Sequence, residues 1–327
     1  MKSWKKFLAV SAACSSMLLC TPADAAYQLN EEVANPPAAL QMATQIGVLK
    51  YDNPNMQAVA NKDAIVVLSF GTTFKDQRAK AIDATANAIA AAHPNAKVVT
   101  AFTSHIVIKH IAENEGKCDY MTPEQTLEQL KREGYNRVAL VSLDVIPGME
   151  YKYDVALFHE YKTQFKAMTL ATPLMYWQGQ EDQRDDVMQV MQSLHLPAYK
   201  KGTAILLMAH GTPDPSNAYY SVMQAKLKAM KRNDVHIYTV EGWPRLDDWA
   251  GKLKMHKVEK IILMPLMMVA GDHANNDMAG DEEDSHKVIL QNMGFKVESR
   301  LQGLGESKRI RDIFVERANE AWDALVN

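Results

Sequence analysis

Two histidines and a glutamate stand where short apolar runs give way to polar turns: His210 in Met208-Ala209-His210-Gly211-Thr212, His273 in Val269-Ala270-Gly271-Asp272-His273, and Glu150 in Ile146-Pro147-Gly148-Met149-Glu150-Tyr151. A strand that ends in His and then Gly leaves the imidazole free at a sheet rim, because glycine lets the chain turn away sharply. Neutral imidazoles suit borderline divalent transition metals, and a carboxylate balances charge or accepts a proton. Two imidazoles and one carboxylate fall a ligand short of a closed tetrahedral site, so the set reads as one that takes up a metal and releases it. Each residue alone has a plainer reading, His210 as a strand-end side chain bonded to a carbonyl and Glu150 as an acid at a helix start. Asp277, one helical turn beyond His273, is placed to orient that imidazole or to share a cation with it. The carboxylates of Asp281, Glu282, Glu283 and Asp284 read instead as an acidic helix start.

The elements that must position these residues alternate. Short β-branched runs near 64–70, 97–102, 137–143 and 168–173 are separated by amphipathic stretches such as Phe74 to Ala92 and Pro123 to Glu133. That pattern predicts parallel βα units. After a helix near 181–194 and the break Leu196-Pro197, a second series follows, with strands near 203–209, 235–240, 259–265 and 295–300. The two series also match in letters. Residues 64–72 (AIVVLSFGT) align with 204–212 (AILLMAHGT), and 138–150 align with 261–273. A duplication predicts an α/β chain of two similar doubly wound lobes with parallel sheets. Ligands in such sheets bind beyond the carboxyl ends of the strands, so the cleft between the lobes is where His210, matched to Phe70, and His273, matched to Glu150, should meet.

Composition narrows the partners. At 327 residues the chain exceeds the roughly 250 to 300 at which single cores stop growing, which favours two lobes. A formal charge of −3 supplies no basic field to gather phosphates, so nucleic acid is not expected. The sequence carries no GxGxxG, Walker A or Gly-x-Ser-x-Gly motif, which leaves nucleotide use and serine hydrolysis unsupported. The Gly71-Thr72-Thr73 and Gly211-Thr212-Pro213 turns lead towards helices and read as caps before anion sites.

The first residues differ in kind. Lys2, Lys5 and Lys6 precede an apolar run from Phe7 to about Cys20 and then Ala23-Asp24-Ala25. This is the layout of a signal peptide cleaved before Ala26, and it implies a periplasmic location with no membrane span. Of the three cysteines only Cys118 would remain, so any metal must be held by His and carboxylate. The expected organisation is 1–25 signal peptide, 26–62 N-terminal arm, 63–196 N-terminal α/β lobe and 197–327 C-terminal α/β lobe. The other histidines, His93, His105, His110, His159, His195, His236, His256 and His286, read as surface or capping residues, with a haem ligand among them left open.

The chain resembles the anaerobic cobalt chelatase family of the CbiK type, part of the class II chelatases that include ferrochelatase. The resemblance covers nearly all of 63–325. It is carried by Ser69-Phe70-Gly71-Thr72, Ala101-Phe102-Thr103-Ser104, His210-Gly211, the run from Met264 to Met278, and Gly303-Leu304-Gly305-Glu306. It implies ATP-independent insertion of Co2+ into the tetrapyrrole sirohydrochlorin on the route to cobalamin. It places metal-binding and catalytic roles on His210 and His273, with Glu150 as their acidic partner. Insertion must remove two pyrrole N–H protons and strip water from the dication, tasks that suit these side chains. The donor set does not itself choose Co2+ over Fe2+ or Ni2+, so iron insertion of the ferrochelatase type stays open, as does a periplasmic haem, tetrapyrrole or metal transport protein using the same cleft. The oligomeric state, including a homo-oligomer, also stays open.

Overall fold

The computed structural model describes residues 29, 30 and 32–327; the expected signal peptide lies outside the described residues. Among the described residues nine strands form two sheets. The first contains β1 (Leu49–Asp52), β2 (Asp63–Ser69), β3 (Lys97–Phe102), β4 (Arg137–Ser142) and β5 (Ala167–Leu170), in the order β1-β5-β4-β2-β3. The second contains β6 (Thr203–Ala209), β7 (Val235–Thr239), β8 (Lys260–Pro265) and β9 (Lys296–Ser299), in the order β7-β6-β8-β9. Setting β1 aside, the orders β5-β4-β2-β3 and β9-β8-β6-β7 are the same, and every one of these pairings is parallel. The duplication read from the letters is therefore also a duplication of topology.

The central strands are buried on both faces, which is why β2 and β6 read as nearly unbroken apolar runs rather than alternating ones. Their two faces go to different places. Ala64, Val66 and Leu68 pack outward in the first lobe, and Ala204, Leu206 and Met208 outward in the second. Ile65 and Val67 on one side, and Ile205 and Leu207 on the other, belong to one continuous core that joins the lobes.

Two features depart from the sequence expectation. Within the segment expected to be an extended arm, Leu49–Asp52 adds an antiparallel edge strand to β5, with Leu49 opposite Leu170. Four residues of mixed polarity carry too little alternation to announce a strand. The final helix, Lys308–Val326, falls in the 197–327 segment yet packs on the first sheet. Ile310, Ile313, Phe314, Ala318, Ala321 and Leu325 form its buried stripe, and Thr169 Oγ1 of β5 donates to the Ala321 carbonyl at 2.9 Å. Its Arg317, 1% exposed, pairs with the fully buried Asp186 at 2.9 Å. The sequence places this helix after the second lobe; the apolar stripe decides which sheet it covers. No helix among the described residues is long and apolar enough to cross a membrane.

Candidate functional site

The carboxyl ends of the strands of both sheets open on one cleft of about 1200 Å3, counting its mouth. Phe70, Leu143, Ile146, Leu266 and Val269 give it largely apolar walls, into which Asp144, Glu150, His210 and His273 are set. His210 follows β6 directly. Gly211 behind it has φ +94°, and an added Cβ would lie 2.5 Å from the Gly242 backbone nitrogen, so both the turn and the close approach of the next strand require glycine. The matched Gly71 has φ +90°. Thr72 and Thr212 cap these turns, their hydroxyls accepting from the backbone N–H groups of Phe74 and Asp214.

Both imidazoles are oriented by their Nδ1 atoms. His210 Nδ1 lies 2.9 Å from the Gly211 carbonyl oxygen, which can only accept, so Nδ1 carries the proton and Nε2 keeps its lone pair. His273 begins a π-helical turn over Ala274–Met278, and its Nδ1 faces the Asp277 carboxylate. The two rings meet edge to face with centroids 4.9 Å apart. The strand-end carbonyl bond that was the plain reading of His210 is thus present, and it is what frees the other nitrogen for the cleft.

The acid that joins them is Glu241. Ligand atoms of His210, Glu241 and His273 all lie within 4.8 Å of one another. Glu150 lies in the same cleft, in the first turn of the helix Met149–Tyr161, but outside that cluster. The structure therefore brings His210 and His273 together as expected and puts a different carboxylate beside them. Sheet register explains why. Glu241 N–H donates to the His210 carbonyl at 2.8 Å, extending β7 alongside the end of β6. The same bond in the first lobe runs from Ser104 N–H to the Phe70 carbonyl, so Glu241 is the duplicate of Ser104. Ser104 caps the helix His105–Glu115, its Oγ accepting from Val107 N–H, and a cap gives no hint of a ligand at the matched position. The pairing of Glu150 with His273 holds by the same criterion. Leu143 N–H bonds to Leu68 and Leu266 N–H to Met208, and each residue stands seven places beyond.

Polar contacts also tie the lobes beside the cleft. Lys152 on the helix Met149–Tyr161 pairs with Asp214 of the second lobe, and this holds the Asp214 carboxyl down to about 2. Other histidines lie away from the cleft, and several are more buried than a surface or capping role implies. His236 lies against Trp249 with centroids 4.4 Å apart, and burial pushes it down to about 4; His93 packs on Trp322, and His286 bonds the Tyr238 hydroxyl.

Duplicated α/β lobes around an apolar cleft, with two imidazoles and a carboxylate converging at one end, are an arrangement suited to a metal chelatase. The sequence model described as "Cobalt chelatase (CbiK)" matches residues 63–323, and the chain belongs to that family. It is 34% identical over 267 residues to the sirohydrochlorin cobaltochelatase of Salmonella typhimurium, covering 81% of this chain and 98% of that one. It is 32% identical over 235 residues to the sirohydrochlorin cobaltochelatase CbiKC of Nitratidesulfovibrio vulgaris, covering 71% and 81%. The fold is shared with SirB from Bacillus subtilis, solved with Fe3+, at a TM-score of 0.52 and 14% identity, covering 80% of this chain and 95% of that one.

Proposed function

We propose that this chain inserts Co2+ into sirohydrochlorin, without ATP, as a step of cobalamin synthesis. The observation that carries the reading is the convergence of His210, Glu241 and His273 within 4.8 Å, with both Nδ1 atoms engaged elsewhere. Three donors leave coordination positions for water and for the incoming macrocycle nitrogens, so the metal is held and can be handed over. Phe70, which lines the cleft and is 53% exposed, offers an apolar surface to a flat ring system.

In the step itself a pyrrole N–H bond breaks, its electron pair goes to the metal, and the proton goes to a carboxylate. Glu150, across the cleft from its duplicate His273, is the proton acceptor in this reading, while Glu241 offsets the charge of the dication. His210 and His273 serve both to bind the metal and to aim it. The leader-like residues 1–25 are the basis for placing the protein in the periplasm, and Fe2+ and Ni2+ remain alternative substrates for the same donor set.

The test is anaerobic mixing of the purified protein with sirohydrochlorin and Co2+, followed by absorbance of the metallated product. Acceleration over the protein-free rate is expected. No acceleration, with tetrapyrrole or metal bound, would replace the enzyme reading with one of transport. Competition among Co2+, Fe2+ and Ni2+ in the same assay ranks the metals.

A further inference from the structure

Insertion releases two protons, and the cleft holds more acid than one acceptor requires. Asp144, which follows β4 and lines the cleft, accepts from Ser142 Oγ at 3.1 Å. Behind it Asp154, on the helix Met149–Tyr161, is 1% exposed, and neither of its carboxylate oxygens has a hydrogen-bond donor. The two carboxyls are close enough for each to alter the other's proton affinity. Two ionised carboxylates are both acceptors and repel, and a proton between them relieves that repulsion at this depth.

We propose that Asp144 and Asp154 form a proton-sharing carboxyl pair that takes up one of the two protons the macrocycle loses. The proposal rests on the chelatase reading and adds the destination of the second proton. An N–H bond of the macrocycle breaks, its electron pair stays on nitrogen to bind the metal, and the proton bonds to a carboxylate oxygen of Asp144. The pair passes from one negative charge to none, and it returns to its starting state by losing that proton to water through the cleft. Asp144 is the catalytic member, since it reaches the cleft; Asp154 is a positioning residue that sets the proton affinity of Asp144.

The surroundings favour uptake near neutrality. Burial, and then the nearby Glu150, push Asp144 up to about 7, while the Ser142 hydroxyl and the proton held by Asp154 oppose the shift. Burial, and then Asp144, raise Asp154 well above the ordinary carboxylate range. The titratable groups that face the pair are Glu150, Tyr151 and Tyr153, all from the helix Met149–Tyr161. None of these is a cation. An acceptor with affinity near the working pH is the most effective one.

The test is the pH dependence of Co2+ insertion by the full chain. The wild-type rate should rise through an inflection near neutral pH as the pair ionises. Asp154→Leu, which takes away the shared proton that stabilises the Asp144 carboxylate, should move that inflection to higher pH by at least one unit, and Asp144→Asn should lower the maximal rate at least tenfold and abolish the inflection. Ser142→Ala, which takes away a donor to the charged form, should also move it to higher pH, and it serves if Asp154→Leu does not fold. Profiles that coincide with wild type in folded Asp154→Leu and Ser142→Ala would overturn the proposal. Infrared titration without substrate separates the layers: a protonated-carboxyl band that titrates near neutral pH should vanish in Asp144→Asn. Insertion with no such band overturns the pair alone. A band with no insertion overturns the chelatase reading, and the proton's role with it.

Discussion

His273 Nδ1 and Asp277 Oδ2 lie 2.5 Å apart, one turn along a π-helical segment that starts at the histidine. The contact fixes which imidazole nitrogen faces the cleft and makes that nitrogen a better donor. Asp277→Asn should therefore weaken Co2+ binding about 10- to 100-fold, the usual cost of losing such a partner. Calorimetric titration with Co2+ alone measures it, and wild-type affinity in the variant would show that the contact does not tune the site.

Glu241 and Glu150 should separate by assay. Glu241→Gln removes a charge from the proposed metal site and should weaken Co2+ binding by at least about tenfold. Glu150→Gln should leave Co2+ affinity close to wild type while the insertion rate falls by about 100-fold or more, the ordinary contribution of a general base. If Glu150→Gln weakened Co2+ binding as much as Glu241→Gln, Glu150 would be a ligand after all.

The close approach at Gly211 makes a third prediction. Gly211→Ala places a Cβ 2.5 Å from the Gly242 nitrogen at a φ of +94°. The extension of β7 must shift, and Glu241 with it. Thermal unfolding should show a loss of about 1 to 3 kcal/mol, and Co2+ affinity should fall even though no ligand has been replaced.

Asp186 ties the last helix to the first lobe. Its Oδ2 accepts from the backbone N–H groups of Tyr176 and Trp177, and its Oδ1 accepts from Arg317. Asp186→Ala leaves the buried Arg317 guanidinium with Glu320, at 3.0 Å, as its remaining ion-pair partner and strips Arg184 of one carboxylate, and it should cost about 3 kcal/mol in urea denaturation. Stability within about 1 kcal/mol of wild type would mean that the pair offsets only its own desolvation.

Stability should also carry the mark of the buried acids. Asp144 and Asp154 are raised in the folded protein, so between the ordinary carboxylate value and the raised ones the folded state binds more protons than the unfolded chain. By linkage their contribution is fully present below about pH 4 and is lost as pH rises through neutrality. Asp154→Asn removes this penalty. Urea denaturation at several pH values should show the variant gaining on wild type from acid to mildly alkaline pH, and parallel curves would contradict the assignment.

Much of this was legible from residue types because the duplication could be read twice. Eight of the nine strands lie where short β-branched runs placed them, since strands covered on both faces are written in apolar letters. His210 and His273 stood out because their duplicates are Phe70 and Glu150, so each matched pair differed in chemistry. Glu241 was hidden for the same reason in reverse. Its segment Val240-Glu241-Gly242-Trp243-Pro244 has little likeness to Thr103-Ser104-His105, and only the bonds to His210 and Phe70 reveal the equivalence. The edge strand β1 and the destination of the last helix depend on contacts made more than a hundred residues away, which local pattern does not encode.

The return of the helix Lys308–Val326 to the first sheet fixes the order in which the molecule can be completed. The helix packs on β4 and β5 of the first sheet, so that part of the sheet stays without its cover until residues 308–326 have been made. The two halves of the repeat are interdependent. A truncation that spares every metal ligand but removes the final two dozen residues should strip the first sheet of its cover rather than trim an end.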